Sequence, residues 1–93
     1  MIVSVRDKRV LEIAEMRVPK RFPVNLVAAA QRRIRALAVA KTLEDLRIPT
    51  GNRLEALRGD RAGQHSIRIN DQWRLCFRWL EDGAHDVELV DYH

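Results

Sequence analysis

A single cysteine, Cys76, stands in these 93 residues, which excludes an internal disulfide framework and any cysteine-based zinc cluster. Long apolar runs are missing too. The longest, of five residues such as Leu26–Ala30, fall far short of the roughly 20 residues that a bilayer-spanning helix needs. No secretory signal is expected, because Arg6, Lys8 and Arg9 occupy the place of an apolar segment. The familiar catalytic motifs are also absent: no Gly-x-Gly-x-x-Gly, no phosphate-binding Walker loop, no His-Glu-x-x-His and no Gly-x-Ser-x-Gly. Three histidines (His65, His85, His93) have no helical metal spacing, so neither a metal nor another cofactor is expected. With 46% apolar and 32% charged residues, the chain is neither disordered nor membranous in composition. The expectation is one reduced, cytoplasmic domain spanning residues 1–93.

What the chain has in quantity is arginine. Its 17 basic residues face 13 acidic ones, a net charge of +4. All the Lys and Arg lie before residue 81, whereas Glu81, Asp82, Asp86, Glu88 and Asp91 crowd the last stretch. A planar guanidinium suits phosphate and carboxylate alike. This charge fits a surface for nucleic acid or an acidic protein, and equally a solvated surface that is simply arginine-rich.

Residue patterning predicts an α+β fold in the order β-α-α-β-β-β. Ile2–Val5 reads as a strand. Asp7 is placed to cap a first helix that buries Val10, Leu11 and Ala14. Pro19 and Pro23 punctuate a basic loop. Asn25 is the expected cap of a long helix from about Leu26 to Lys41, with Ala30, Ile34, Leu37 and Lys41 on one face and Val27, Ile34 and Ala38 on another. Arg32, Arg33 and Arg35 give that helix a basic side. Thr42-x-x-Asp45 starts a further turn. The period then changes to two: Ser66–Ile69, a strand carrying Trp73, Leu75, Phe77 and Trp79 on one face, and Asp86–Tyr92. Asn70-Asp71 and Asp82-Gly83 supply the turns between them. Two to three N-terminal helices then cover one face of a small antiparallel sheet.

If the helices cover the Trp73 face, then Arg68, Arg74 and Arg78 line the other, about 5 Å from their cross-strand neighbours. Like charges that close call for an anion. That anion is either a bound phosphate or carboxylates such as Glu55, Glu88 or Asp91. Cys76 shares this face, where it reads as a small packing residue rather than a nucleophile. The chain closes on Asp91-Tyr92-His93. An imidazole near neutrality, a phenol for stacking and an arginine-lined sheet are the parts required for RNA cleavage by 2′-hydroxyl attack.

The block Gly51-Asn52-Arg53-Leu54-Glu55-Ala56-Leu57-Arg58-Gly59-Asp60-Arg61-Ala62-Gly63-Gln64, then Ser66-Ile67-Arg68-Ile69-Asn70-Asp71-Gln72-Trp73-Arg74-Leu75-Cys76-Phe77, and the closing Val87-Glu88-Leu89-Val90-Asp91-Tyr92-His93 resemble the RelE/ParE superfamily of bacterial toxins, in its HigB branch of plasmid maintenance killer proteins. The match covers residues 51–93 closely and 1–50 by layout. It implies a RelE-like toxin of a type II toxin-antitoxin system, held by a HigA-like helix-turn-helix antitoxin and meeting DNA only through it. Freed, such a toxin enters the 70S ribosome and cuts mRNA in the A site without metal. Carried over residue by residue, the resemblance places Arg58, Arg74, Asp91, Tyr92 and His93 in the site; the roles expected of them are phosphate charge for Arg58 and Arg74, proton transfer for His93, orientation or base work for Asp91, and base contact for Tyr92. Arg61, Arg68 and Arg78 are the candidate RNA-binding cations. Glu55 stands where some relatives carry a catalytic His, as a base, as a partner for Arg58 or as the mark of a slower nuclease. Two other classes stay open: a non-enzymatic ParE-like gyrase inhibitor, and a basic ribosome-binding module that does not cut.

Overall fold

Asp7 has extended backbone, and its carboxylate accepts the Arg9 backbone N–H at 3.0 Å, which starts helix α1 (Lys8–Ala14) as its sequence position predicts. The structure, a computed structural model, describes residues 1–92. After the basic loop, a short 3-10 turn (Val24–Leu26) leads into α2 (Val27–Val39). The expected cap residue Asn25 lies inside that turn and makes no side-chain capping bond, so the turn's own backbone starts the helix. Thr42 and Asp45 form a full capping box, each side chain accepting the other's backbone N–H.

Four antiparallel strands follow, hydrogen-bonded in sequence order: β1 (Glu55–Ala56), β2 (His65–Arg68), β3 (Trp73–Leu80) and β4 (Gly83–Asp91). Register pairs Ile67 with Leu75 and Leu75 with Leu89, so these apolar side chains share one face. Both helices pack there. Val10 and Ile13 of α1, and Val27, Ala30, Ile34 and Leu37 of α2, are buried against the sheet. Leu11 and Ala14, expected inside, are exposed, because the buried stripe of so short a helix runs through Val10 and Ile13. Lys41 and Ala38 are likewise exposed, and α2 ends before Lys41.

The predicted N-terminal strand is reduced to two isolated parallel bridges, Ile2 with Ala84 and Val5 with Val87. The reason lies in β4. Register with β3 shifts between Cys76 and Arg78, and Asp86 takes a left-handed φ of 53°, a bulge that interrupts even pairing along the edge. The bulge turns Ala84 and Val87 both toward the core while Asp86 and Glu88 lie on the outer side. At the hairpin, Gly83 has φ of 129°, and a side chain there would run into the Met1 carbonyl oxygen, so only glycine lets the N-terminal segment lie this close. The short strand β1 has no counterpart in the predicted order, since two exposed residues carry no alternation to read.

Candidate active site

The outer face of the sheet is built by side-chain parity. Cross-strand pairing aligns Glu55, Ser66, Cys76 and Glu88 in one row and Arg68, Arg74 and Val90 in the next. The predicted like-charge clash is real in register, for Arg68 and Arg74 stand directly opposite each other. Both are satisfied from within the chain. Arg68 pairs with Asp71 in the following turn. Arg74 donates from Nε to the Ser66 hydroxyl at 2.7 Å and from Nη2 to the Arg53 carbonyl at 2.7 Å, with the Glu55 carboxylate 3.5 Å away. Its side chain is only 11% exposed, against 58% for Glu55.

The other candidate cations are also paired. Arg78 donates to Asp86 at 2.8 Å, which holds the Asp86 carboxyl below its usual range. Arg61 reaches across from the β1–β2 loop to Glu88 at 3.4 Å, where Arg6, a residue that patterning did not single out, adds a second pairing at 3.5 Å. Burial works to lower the Arg61 pKa, but the hydrogen bond and charge of Glu88 outweigh it and raise it. The alternative in which carboxylates compensate the arginine face thus describes Arg61, Arg68, Arg74 and Arg78. Arg58 differs: it is exposed at the start of the Gly59–Arg61 turn and makes no side-chain hydrogen bond or ion pair among the described residues. Glu55 pairs with Arg74 and not with Arg58.

Cys76 is fully buried beneath this cover, and burial pushes its thiol upward, away from a reactive thiolate. Tyr92 lies beside it. Burial, and then the nearby Cys76 sulfur, raise the phenol's pKa, so the hydroxyl keeps its proton at neutrality. The end of β4 is tied down by the β2–β3 turn: the Tyr92 N–H donates to the Gln72 carbonyl, and Gln72 Nε2 donates to Asp91 at 3.1 Å. Register sets Asp91 opposite Trp73, on the helix-covered side, whereas Tyr92 follows on the arginine side. The structure therefore brings Glu55, Arg74 and Tyr92 to one face with Arg58 at its rim and directs Asp91 away from it. His93 lies outside the described residues. Ser66 and the Arg53 carbonyl, both in contact with Arg74, went unrecognised in the sequence. Strand parity alone places Ser66 beside Arg74, whereas nothing local marks Arg53.

Two helices against one face of a four-stranded antiparallel sheet, with an arginine-rich opposite face, define a RelE-like toxin fold. YafQ from Escherichia coli BL21(DE3) superposes with a TM-score of 0.61 over 98% of this chain and 91% of that one, at 12% identity, which establishes the shared fold. A family model described as "RelE-like toxin of type II toxin-antitoxin system HigB" matches residues 6–93, and the chain belongs to this HigB-like toxin family. Toxin HigB-1 of Vibrio cholerae is 44% identical over 68 residues, 73% of this chain and 72% of that protein. A protein named Endoribonuclease HigB, from Proteus vulgaris, is 29% identical along the full length of both chains. Membership implies an antitoxin partner. No helix among the described residues is long and apolar enough to cross a membrane.

Proposed function

We propose that this chain is a ribosome-dependent mRNA endonuclease that arrests translation and growth in the cytoplasm, restrained by a HigA-like helix-turn-helix antitoxin. The observation that carries the reading is the state of Arg74: a guanidinium nine-tenths enclosed, fixed on its Nε side, with both Nη1 protons unpartnered among the described residues. A rigid donor pair on a sheet face stabilises charge that develops on a phosphate without reorganising at the moment of reaction. The Proteus relative's name, Endoribonuclease HigB, supports the same chemistry.

In this reading the ribose 2′-hydroxyl attacks the adjacent phosphorus, its proton passes to a base, and the 5′-oxygen leaves with a proton from an acid. Glu55, an exposed carboxylate 3.5 Å from Arg74, is placed to take the hydroxyl proton. Arg74 and Arg58 hold the phosphorane charge, and Tyr92 stacks a base. Asp91, bonded to Gln72 on the far side of the strand, orients the chain end that leads to His93, the acid. Arg61, Arg68 and Arg78 contact RNA to the extent that phosphates displace their carboxylate partners.

That four arginines are already ion-paired favours a second reading, a binder that inhibits without cutting. Induced expression with transcript-end mapping separates the two. New 5′ ends inside translated reading frames, lost when ribosomes are absent, are expected of the nuclease. Growth arrest with intact messages overturns it, and inhibition of DNA supercoiling by purified protein identifies a gyrase binder.

A further inference from the structure

Among the described residues two polar ones are buried, Ser66 and Asn52, and both lead to one guanidinium. Ser66 is fully buried and its Oγ accepts the Arg74 Nε–H at 2.7 Å. Asn52 is buried next to Arg53, and its Nδ2 donates to the Leu46 carbonyl at 3.1 Å. That bond anchors the turn at whose end Arg53 takes a left-handed φ of 46°, a conformation that an arginine seldom adopts. Held so, the Arg53 carbonyl accepts from Arg74 Nη2 at 2.7 Å. Buried polar groups and strained backbone both cost stability, and their convergence on one side chain outside the core points to a role in placing it.

We propose that Ser66 and Asn52 are positioning residues for the nuclease site: Ser66 directly, and Asn52 through the Arg53 carbonyl, lock the Arg74 guanidinium so that its Nη1 end faces the scissile phosphate. This assignment rests on the endonuclease reading above. The two contacts fill the Nε and Nη2 edge, the edge that otherwise grips a carboxylate or phosphate side-on, so the substrate meets Arg74 end-on. An arginine left to swing would still bind RNA, but would not meet the phosphorane in one fixed geometry.

The test is a double-substitution cycle for mRNA cutting on programmed ribosomes, with kcat and KM read separately and each variant's melting temperature measured by circular dichroism. Arg74→Lys, which cannot make the Ser66 and Arg53 contacts together, is expected to be strongly impaired. Ser66→Ala is expected to lower kcat by about 10- to 100-fold with KM within about twofold, since misplacement of the group, not loss of binding, is the defect. Ser66→Thr, which keeps the hydroxyl, restores most of that loss. In the Arg74→Lys background Ser66→Ala has no further effect, and Asn52→Ala behaves in the same way. If Ser66→Ala melts below the assay temperature, Ser66→Cys, nearly isosteric and a poor acceptor, takes its place in the cycle. Parent-like kcat in the Ser66 variant, or losses that multiply with Arg74→Lys, overturn the positioning role while the endonuclease reading stands. Parent-like cutting by Arg74→Lys also overturns the positioning role, whereas intact messages with the parent protein itself overturn the endonuclease reading on which it rests.

Discussion

Glu55 and Arg74 form an unequal pair, one carboxylate mostly in water and one guanidinium mostly out of it. Their contributions therefore separate. Loss of the exposed partner changes stability by no more than about 1 kcal/mol, as for other ion pairs with a solvated member. Glu55→Gln is accordingly expected to unfold in urea close to the parent midpoint, yet to cut mRNA about 100-fold or more slowly, as befits removal of a general base. Arg74→Ala strands the buried Ser66 hydroxyl without its donor and costs about 1–3 kcal/mol. Equal cutting by Glu55→Gln and parent would show that this carboxylate only shields Arg74. Both positions were marked for the site from sequence. Glu55 also stood among the carboxylates offered as partners for Arg68, Arg74 and Arg78, but which arginine it meets was not legible, because that contact depends on β1, a two-residue strand without a readable pattern.

Elements meet at Asp7. Its carboxylate caps α1, accepts from Arg9 at 2.8 Å, and accepts the Leu89 N–H of β4 at 3.2 Å, so one side chain joins the first helix to the last strand. Arg9 in turn donates to the Leu89 carbonyl and lies 5.5 Å from the Trp73 ring centroid. Burial alone would raise the Asp7 pKa, but the bonds from Arg9 and Leu89 more than offset it and lower it below 3.8. A carboxyl whose pKa falls on folding stabilises the native state above its ordinary value, and that stabilisation disappears as pH drops through the lowered one. Urea unfolding is therefore expected to show stability falling as pH goes below about 4, with a shallower fall in Asp7→Asn. At neutral pH, Asp7→Ala is expected to cost about 2 kcal/mol from the lost cap and cross-element bonds. Asp7 was legible as a cap, since a lone aspartate before an apolar period has few other uses. Its bond to Leu89 was not, being 82 residues distant. The same contrast runs through the fold. Alternation exposed β2, β3 and most of β4, whereas Ile2–Val5 carried a strand's composition without a strand's pairing, because the bulge at Asp86 leaves its edge only two bridges. Gly83→Ala probes that edge: contact with the Met1 carbonyl is expected to cost about 2 kcal/mol or more, seen as a lower melting temperature.

At the scale of the molecule, the acidic last stretch acquires a purpose. Asp86 and Glu88 draw Arg6, Arg61 and Arg78 onto the sheet, so the positive charge of the first 80 residues is partly spent internally rather than displayed. Exposed Arg58 and the basic side of α2 remain for an external anion. Binding to ribosomes is expected to weaken steeply with salt, and Arg58→Ala to reduce the slope of log affinity against log salt by about 1 while leaving the melting temperature unchanged. The central claim is that a guanidinium locked on β3 serves the cutting of RNA. It is tested most directly in a reconstituted translation reaction by extending primers on a defined message with parent protein and with Arg74→Ala. The account predicts discrete new ends within the reading frame for the parent and their loss, by at least about 100-fold in rate, for the folded variant. Equal cutting by both proteins, or no cutting by the parent on translating ribosomes, would contradict it.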